Sequence, residues 1–429
     1  MLLAVRSTWA LLLGMALMML GNGLQGTLLG VRATYTGFPD WVTGMVMTGY
    51  FVGFLAGSYL SPRMLSRVGH IRVFTALASL ASISALLHAT YVDPFFWAAM
   101  RVVTGFCYAG LYIVSESWLN DQSTNKTRGS LLSIYMAISF AGMTGGQFLL
   151  GLGDPAEYGL FVLISVLVSF AVVPIALTSR PAPGFSEPSP LSLKQLYRLS
   201  PLGVFGSMIL GAAHGGLYGM GAVFAQRRGF SLTNVSLFMA SISIGGVLLQ
   251  WPIGRLSDAM DRRKLIAIIT FAAALIPIIL LFADRTAGPG VFTLIGLFGA
   301  LSLPMYSLCV AHTNDYLEPN QMVSASAGLV MIMGVGAIAG PSTAGFLMSL
   351  FSASGFLVFL AVVHSIIGVF ALWRMSIREA PPVEEHTIHV PMAPRGTTVI
   401  ASLASQEVVE NIEEDDAQQS DQAPEAAAG

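Results

Sequence analysis

The sequence predicts an all-α integral membrane protein in which twelve transmembrane helices form two homologous six-helix bundles. Composition is the first observation behind this: 54% of the 429 residues are hydrophobic and only 10% are charged, whereas soluble domains carry about 25% charged residues. The other two observations are the recurrence of long apolar stretches and an internal repeat. So few charges cannot cover a water-exposed surface, and most of the chain must therefore face lipid.

Twelve apolar stretches of about 20 residues recur along the chain, and each is long enough to cross a hydrocarbon core of about 30 Å. The first follows Arg6 without a small-residue cleavage site, so we interpret it as a membrane helix and not as a signal peptide. The expected spans are 9–31, 41–60, 73–91, 95–119, 130–151, 158–178, 202–225, 235–254, 265–283, 290–311, 323–350 and 355–375.

The distribution of positive charge predicts the orientation in the membrane. If the N-terminus lies inside the cell, 16 of the 21 Lys and Arg residues fall on the inner side and four on the outer side, and Arg101 lies within a span. Because cytoplasmic loops carry the excess of Lys and Arg, both termini are expected in the cytoplasm. No basic stripe interleaved with aromatic residues lies outside the spans, which disfavours nucleic acid as a partner.

The chain divides into two bundles, a linker and a tail. Residues 1–180 are expected to form the N-terminal bundle and 201–375 the C-terminal bundle, and the cytoplasmic linker 181–200 is rich in proline and serine, which interrupt helices. Residues 376–429 carry 2 Lys/Arg and 11 Asp/Glu, whereas residues 1–375 carry 19 and 12. This acidic tail is expected to be disordered, cytoplasmic and without a role in transport.

An internal repeat appears when the chain is slid along itself. Shifts of 192 and 194 residues superpose Gly37-Phe38 on Gly229-Phe230, Gly105 on Gly299, Tyr112 on Tyr306 and Asn120-Asp121 on Asn314-Asp315. The matched positions fall at equivalent helix ends and keep their order, which favours duplication over coincidence. Two similar six-helix halves around a central site are the architecture of alternating-access carriers.

A loop motif follows the second span of each half. Residues 254–264 read Gly-Arg-Leu-Ser-Asp-Ala-Met-Asp-Arg-Arg-Lys, and residues 62–72 read Pro-Arg-Met-Leu-Ser-Arg-Val-Gly-His-Ile-Arg. The former resembles the cytoplasmic loop signature of the major facilitator superfamily (MFS), and the latter is a degenerate copy with Ser66 where the family has Asp. This resemblance implies the MFS fold and a cytoplasmic gate. The expected gate residues are Asp258, Arg255, Arg262, Arg128, Arg63 and Gly69.

Within this gate, Asp258 is expected near the start of the fifth span. Free backbone N–H groups and Arg128 would attract its carboxylate there and latch the cytoplasmic side shut. Ser66 carries no charge with which to make the equivalent contact in the other half. The latch is therefore expected to be one-sided.

The fourth span carries a second motif, Arg101-x3-Gly105-x4-Gly110, followed by Glu116-Ser-Trp-Leu and by Arg128-Gly at the start of the fifth span. These residues resemble the intramembrane arginine motif of the superfamily and its bacterial branch typified by YcaD. The resemblance covers roughly residues 9–375 and implies a multi-pass carrier of the bacterial inner membrane, expected to be a monomer. It implies no particular substrate.

Ionisable and aromatic residues within the spans are the candidates for contact with substrate or protons. Arg101, Tyr108 and Tyr112 share one face of the fourth span at about 100° per residue, and Glu116 lies close to it. A charge inside a bilayer costs at least about 3 kcal/mol, which makes Arg101 a functional candidate. The alternative for Arg101 is a packing ion pair or snorkelling to the outer interface. Glu116 either carries a proton or pairs with Arg128 at the cytoplasmic edge.

The first span of each half supplies further candidates. His214 and Tyr218 lie one turn apart, and the repeat superposes them on Asn22 and Gly26, with Gln25 one turn beyond Asn22. His214 either titrates near neutral pH and couples proton movement, or is a neutral histidine hydrogen-bonded within a glycine-rich helix.

Taken together, these features favour a proton-coupled or facilitative carrier that moves a small organic solute by alternating access. The sequence shows no Ser/His/Asp set, metal-ligand cluster or phosphate-binding glycine loop, so no metal, cofactor or ATP hydrolysis is expected. One alternative is a membrane sensor or scaffold that keeps the fold without transporting, which would need a folded signalling domain in the tail. The other is an integral-membrane enzyme, which would need clustered ionisable residues within the spans.

Overall fold

The computed structural model describes residues 2–122, 125–177, 191–283, 288–377, 382, 386–391 and 397–426, with side chains from Thr8 onward except those of 125–128 and 413–426. The helices are α1 (Leu2–Tyr35), α2 (Asp40–Val68), α3 (His70–Thr90), α4 (Pro94–Asp121), α5 (Asn125–Phe148, continued by a 3-10 turn at Leu149–Leu152), α6 (Gly159–Ala176), α7 (Leu193–Leu199), α8 (Pro201–Arg227), α9 (Leu232–Ala259), α10 (Arg262–Phe282), α11 (Pro289–Ser302), α12 (Met305–Asn314), α13 (Pro319–Phe351), α14 (Ser354–Met375) and α15 (Thr398–Ala426).

All regular elements in the described part of the chain are helical, and twelve segments there are long and apolar enough to cross a membrane. The predicted all-α membrane architecture with twelve spans is thereby confirmed. The tenth span, Pro289–Asn314, differs from its prediction because it consists of two helices, α11 and α12. Pro304 has no N–H to donate and interrupts the helix at that point.

Successive spans run in opposite directions, so their ends collect at two faces of the bundle. The terminal face, as we define it, holds the beginning of α1, the end of α14, the short helix α7 and the described part of the tail. The far face holds the turns at residues 36–39 and 228–231. The predicted linker 181–200 contains α7, and its residues 181–190 lie outside the described residues.

The internal repeat is visible in the backbone. Two residues after the end of α1 and of α8 the chain turns at a glycine with a left-handed conformation, Gly37 at φ 77° and Gly229 at φ 79°. In each copy the N–H of the following residue, Phe38 or Phe230, donates to the carbonyl five residues earlier, at 3.0 and 3.1 Å. Glycine adopts this conformation without a steric penalty. The superposed Gly-Phe pairs of the sequence are therefore equivalent helix ends.

Glycines also set the closest helix contacts in both halves. A Cβ at Gly105 in α4 would overlap the carbonyl oxygen of Tyr50 in α2, and a Cβ at Gly299 in α11 would overlap that of Ile242 in α9. These two glycines are superposed by the repeat. Both helix pairs therefore meet backbone to backbone, as small residues in membrane helices allow.

The two halves meet near the far face, where α2 packs against α13. The Thr48 hydroxyl donates to the carbonyl of Ile338 at 3.1 Å and lies 2.6 Å from the hydroxyl of Ser342. Nearer the beginning of α2, the backbone N–H of Trp41 donates to the Ser349 hydroxyl at 3.1 Å. These contacts close the far face.

The part of the tail that the structure describes is helical, whereas the sequence predicts disorder there. Residues Thr398–Ala426 form α15, which contacts α4, α5 and α13 at the terminal face. Val399, Leu403 and Val408 are 6%, 3% and 2% exposed, so the beginning of this helix is apolar and buried. Most of the acidic residues follow this apolar segment, and the average composition of the tail conceals it. Residues 378–381, 383–385, 392–396 and 427–429 lie outside the described residues.

Candidate functional site

A central cavity lies between the two halves. Helix α2 lines one side, and helices α8, α12 and α13 line the other. The walls are mostly aromatic and apolar. Lining side chains include Tyr50, Phe54, Ser58, His214, Tyr306 and Val330. An apolar cavity with a few convergent polar groups has the usual character of a small-molecule site.

A hydrogen-bonded cluster in the N-terminal half supports one wall of this cavity. The Asn22 amide donates to the Tyr112 hydroxyl at 2.9 Å and to the Tyr50 hydroxyl at 3.4 Å. The three residues are 3%, 3% and 2% exposed, so α1, α2 and α4 share a buried polar contact. Asn22 and Tyr112 were sequence candidates. Tyr50 was not, because the periodicity of α2 alone does not show which residue meets α1 and α4.

Arg101 lies between α2 and α4 and is not part of the cavity wall. Its guanidinium carbon lies 4.5 Å from the centre of the Tyr50 ring, and the residue is 5% exposed. A cation over an aromatic face is attracted by the ring quadrupole. This geometry supports a packing role through Tyr50, which was the alternative to substrate contact. Direct contact with substrate stays a prediction.

Three other candidates are buried without lining the cavity. The Tyr108 hydroxyl donates to the Met18 carbonyl at 3.5 Å. Gln25 is 1% exposed, and its amide nitrogen has no hydrogen-bond partner among the described residues. Tyr218 is 8% exposed in α8. A role for these three residues stays a prediction.

Glu116 is completely buried near the terminal-face end of α4. One carboxylate oxygen accepts from the Tyr135 hydroxyl at 2.7 Å. The other accepts from the backbone N–H of Ile400 at 3.2 Å and from the Thr397 hydroxyl, both in the tail. Three donors thus stabilise this carboxylate in the protein interior. The predicted alternative partner, Arg128, has a side chain outside the described residues.

His214 lines the cavity and belongs to a buried polar group of the C-terminal half. Its Nε2 lies 3.2 Å from the Ser302 carbonyl and 3.3 Å from the Ser302 hydroxyl, which lies 2.8 Å from Nε2 of His364. Nδ1 of His364 lies 2.8 Å from the Leu360 carbonyl, which assigns its proton to Nδ1 and leaves Nε2 as an acceptor. Ser302 therefore connects a cavity histidine with a buried one. Sequence reasoning missed Ser302 and His364, because no local spacing relates α11 to α14.

The loop motif between α9 and α10 is built around Arg262, which is 1% exposed. Its guanidinium donates to Asp258 at 2.9 Å and to the Ser257 hydroxyl at 3.0 Å, and it forms a buried ion pair with Asp315. It also donates to the carbonyl of Thr387 in the tail. The fixed fork of guanidinium donors suits such a multiple contact. Arg262 therefore ties α9, α10 and the end of α12 to the tail.

Asp258 contacts the tail as well as Arg262. It accepts from the backbone N–H of His389 at 3.1 Å. Burial lowers the pKa of His389 to about 4, although the nearby Asp258 carboxylate acts in the opposite direction. His389 is therefore neutral at physiological pH. The predicted latch between Asp258 and Arg128 stays a prediction, because the Arg128 side chain lies outside the described residues.

The remaining gate residues make contacts close to their own positions in the chain. Arg255 lies over the ring of Trp251 at 4.0 Å, and Arg63 lies over that of Tyr59 at 4.2 Å. Gly69 joins α2 to α3 with φ 87°, a left-handed conformation that favours glycine. Their role in a gate stays a prediction.

An ion pair across the far face was not foreseen from the sequence. Nε of Arg227, the last residue of α8, donates to Asp40, the first residue of α2, at 2.8 Å. Arg227 also donates to the Phe38 carbonyl at 3.1 Å. The sequence signal that could have predicted this pair was an acidic residue at the start of α2 and a basic residue at the end of α8, both expected at the far face.

Comparison of the sequence with known proteins identifies its relatives. The profile of the Major Facilitator Superfamily matches residues 11–312 and 229–409. The uncharacterized MFS-type transporter YcaD of Escherichia fergusonii is 29% identical over 381 residues, which cover 88% of this chain and 98% of that protein. The YcaD protein of Escherichia coli O45:K1 is 28% identical over 388 residues, which cover 90% of this chain and 99% of that protein.

The fold is also similar to solved structures. The nucleoside transporter NupG superposes with a TM-score of 0.70 at 14% identity, covering 86% of this chain and 98% of that one. A D-xylose-proton symporter superposes with a TM-score of 0.65 at 13% identity, covering 90% and 99%. At these identities the likeness concerns the fold alone.

Proposed function

Because the chain belongs to the major facilitator superfamily, we propose that it is a secondary transporter that moves a small organic solute by alternating access. Membership makes it a multi-pass protein of the bacterial inner membrane and a transporter, not an enzyme. The observation that carries the proposal is the cavity between the two halves, which the contacts of α2 with α13 separate from the far face. Alternating access requires a central site that is closed toward one face at a time.

We assign the terminal face to the cytoplasm on the basis of the positive charge that collects there. The structure then corresponds to a state closed toward the outside. Rocking of the two halves would separate α2 from α13 and expose the same cavity to the far face.

The walls of the central cavity favour a neutral solute with an aromatic or otherwise apolar part. Tyr50, Phe54 and Tyr306 offer aromatic surfaces, whereas Ser58 and His214 offer a small number of hydrogen-bonding groups. No Asp, Glu, Lys or Arg occurs among the described lining residues. A charged solute would therefore lose its hydration without gaining an ionic partner, which is costly.

His214 is the residue that we propose for proton coupling. It lines the cavity, and Ser302 connects it to His364. A proton on His214 would place a charge in an apolar wall, so protonation and solute binding at this site must influence each other. Glu116 is less suited to this role in the present state because the tail covers it.

Thermal unfolding of the purified full-length protein with a panel of solutes tests the proposal. The panel contains uridine, D-xylose, benzamide and benzoate. A ligand at 100 times its Kd stabilises the folded protein by about 2.7 kcal/mol. We expect stabilisation by a neutral aromatic solute, its loss in His214→Ala and Tyr306→Ala, and exchange of that solute across liposome membranes.

Two outcomes would contradict these assignments. Stabilisation confined to benzoate would contradict a neutral solute. Stabilisation by a solute that is never exchanged across the membrane would favour the alternative, a non-transporting sensor or scaffold with this fold.

A further inference from the structure

The tail segment, which we define as residues 386–391 and 397–412, lies in the opening between the two halves at the terminal face. Together with α5 and α13 it encloses a second cavity. Tyr306 and Val330 line this second cavity and the central cavity as well. The tail segment therefore lies across the route from the terminal face to the central cavity.

The beginning of α15 is held by a carboxylate of the N-terminal half. Thr397 immediately precedes α15, and Ile400 lies in its first turn. Both donate to Glu116, through the Thr397 hydroxyl and the Ile400 N–H. The free N–H groups of a first turn attract a carboxylate. Because Glu116 is completely buried, it gains from the tail two of the three hydrogen bonds that the described residues give it.

One side of α15 packs against the C-terminal half. Ala401 and Ala404 are 1% and 4% exposed and belong to an apolar cluster with Tyr306 and Val330. Small side chains let α15 approach α13 closely, and the hydroxyl of Ser405 contacts that of Ser326 in α13. The same helix is thus bound by both halves of the protein.

The extended part of the tail segment is held by the charged residues of the loop motif. The backbone N–H of Thr387 donates to Asp315 at 3.1 Å, and Arg262 donates to the Thr387 carbonyl. The N–H of His389 donates to Asp258 at 3.1 Å. In this state the motif residues bind main-chain groups of the tail.

We propose that the tail segment is an autoinhibitory plug, which the two halves bind together through Glu116, Arg262 and Ser326 and which must withdraw before solute passes between the central cavity and the terminal face. Rocking of the halves changes the separation of Glu116 from Arg262, so the docked segment also opposes that motion. The consequence for transport rests on the proposed function. The docking of the tail segment and its closure of the route between the terminal face and the central cavity do not rest on that function. Both are tested without a transported solute.

The first test measures access to Val330 in the full-length protein in lipid nanodiscs. Val330→Cys is labelled with the membrane-impermeant reagent fluorescein maleimide. Ala404→Glu places a carboxylate in the apolar contact with α13 and should accelerate labelling by about 10-fold, because burying that charge is unfavourable. Val409→Glu adds the same charge to the partly exposed side of α15 and should leave the rate close to that of the parent. Equal rates in the two variants would overturn the proposal.

The second test leaves the apolar contact intact and covers the case in which Ala404→Glu fails to fold. Ser326→Cys and Ser405→Cys are combined in native membranes and oxidised, and the disulfide is quantified by mass spectrometry. We expect several-fold more disulfide than for Ser326→Cys with Glu410→Cys, which projects from a different side of α15. Equal yields from the two pairs would overturn docking. Because neither test measures transport, a failed solute screen with a positive result here would contradict the proposed function alone.

Discussion

Arg227 of the C-terminal half donates to Asp40 of the N-terminal half at 2.8 Å, at the face opposite the tail segment. The two side chains are 35% and 13% exposed. Solvent therefore screens their attraction, and such a pair contributes about 0.2–1 kcal/mol. Because α2 and α8 must separate when the far face opens, the pair favours closure without preventing opening.

Replacing Arg227 by Ala should shift the equilibrium toward an open far face by about 2- to 5-fold, which corresponds to the upper part of that energy range. Labelling of Ser342→Cys, at the contact of α2 with α13, by an impermeant maleimide measures this shift. Asp40→Ala should have a similar or smaller effect, because Arg227 keeps its hydrogen bond to the Phe38 carbonyl, and the double variant should add nothing to Arg227→Ala. Arg228→Ala removes the neighbouring cation as a control. Equal labelling of the Arg227 and Arg228 variants would contradict the assignment.

Close packing of α2 on α4 should make Gly105→Ala strongly destabilising. The added Cβ would overlap the Tyr50 carbonyl, so the two helices would have to move apart. Overpacking of this kind costs about 1–3 kcal/mol. Gly26→Ala in α1 is the matched control, because no atom lies within 4 Å of a Cβ built there. The thermal unfolding midpoint in detergent should fall for Gly105→Ala only, and similar midpoints for both variants would contradict this packing.

The spans were predictable because hydropathy is a local property. The expected sixth span, 158–178, corresponds to Gly159–Ala176 in the structure. Glu116 and Asn22 were predictable as site candidates for a related reason, since a polar residue inside a span is costly and stands out. Their partners in other helices were not predictable, because partners depend on how helices face one another.

The ion pair at the far face and the docked tail helix were not predicted from the sequence, and the reason is the same for both. Asp40 and Arg227 are far apart in the chain, and only the assembled halves bring them together. The tail was judged by its average composition, which the acidic run at residues 413–416 dominates. Its apolar segment at residues 399–404, Val-Ile-Ala-Ser-Leu-Ala, was the signal for a docked helix. Only the opening between the halves gives that segment a surface to pack against.

Ser302→Ala should destabilise the C-terminal half because its hydroxyl contacts both His214 and His364. His364 is completely buried, so its Nε2 would lose that hydrogen bond without gaining water, at a cost of about 1–3 kcal/mol. Ser207→Ala is the control: this serine is also completely buried, but its hydroxyl has no hydrogen-bond partner among the described residues. The unfolding midpoint should fall in the first variant only. An equal fall in both would contradict a structural role for the Ser302 hydroxyl.

Docking of the tail segment should weaken as the pH falls. His389 is 8% exposed and faces Asp258 and Arg262, and burial lowers its pKa from 6.5 to about 4. The docked state therefore binds fewer protons than the withdrawn state below pH 6.5. Docking is fully favourable above this pH and is lost progressively toward pH 4. At pH 5 this single group should weaken docking by about 30-fold.

Distances between nitroxide labels at Ser66→Cys and Glu410→Cys report this change by pulsed electron paramagnetic resonance. The fraction at the docked distance should fall between pH 7.5 and pH 5. The asparagine in His389→Asn cannot be protonated, so this variant should show a smaller change of the docked fraction with pH. Any change that remains would come from the other ionisable groups of the cluster, Asp258, Asp315 and His386. An unchanged pH dependence in His389→Asn would show that another group is responsible.

Arg101 should influence solute binding through Tyr50 and not by contact with the solute. The guanidinium lies 4.5 Å from the centre of the Tyr50 ring, and Tyr50, not Arg101, lines the cavity. Arg101→Ala should therefore weaken binding of a neutral aromatic solute and of its carboxylate analogue by the same factor, as measured by their stabilisation of the folded protein. Arg101→Lys should retain most of this stabilisation, since an ammonium group is also attracted to the ring face. A guanidinium that bound an anionic solute directly would give a different pattern: Arg101→Ala would lose the carboxylate analogue selectively, and lysine would lose the bidentate contact that arginine provides. The comparison of two solutes in two variants therefore separates a positioning residue from one that touches the substrate.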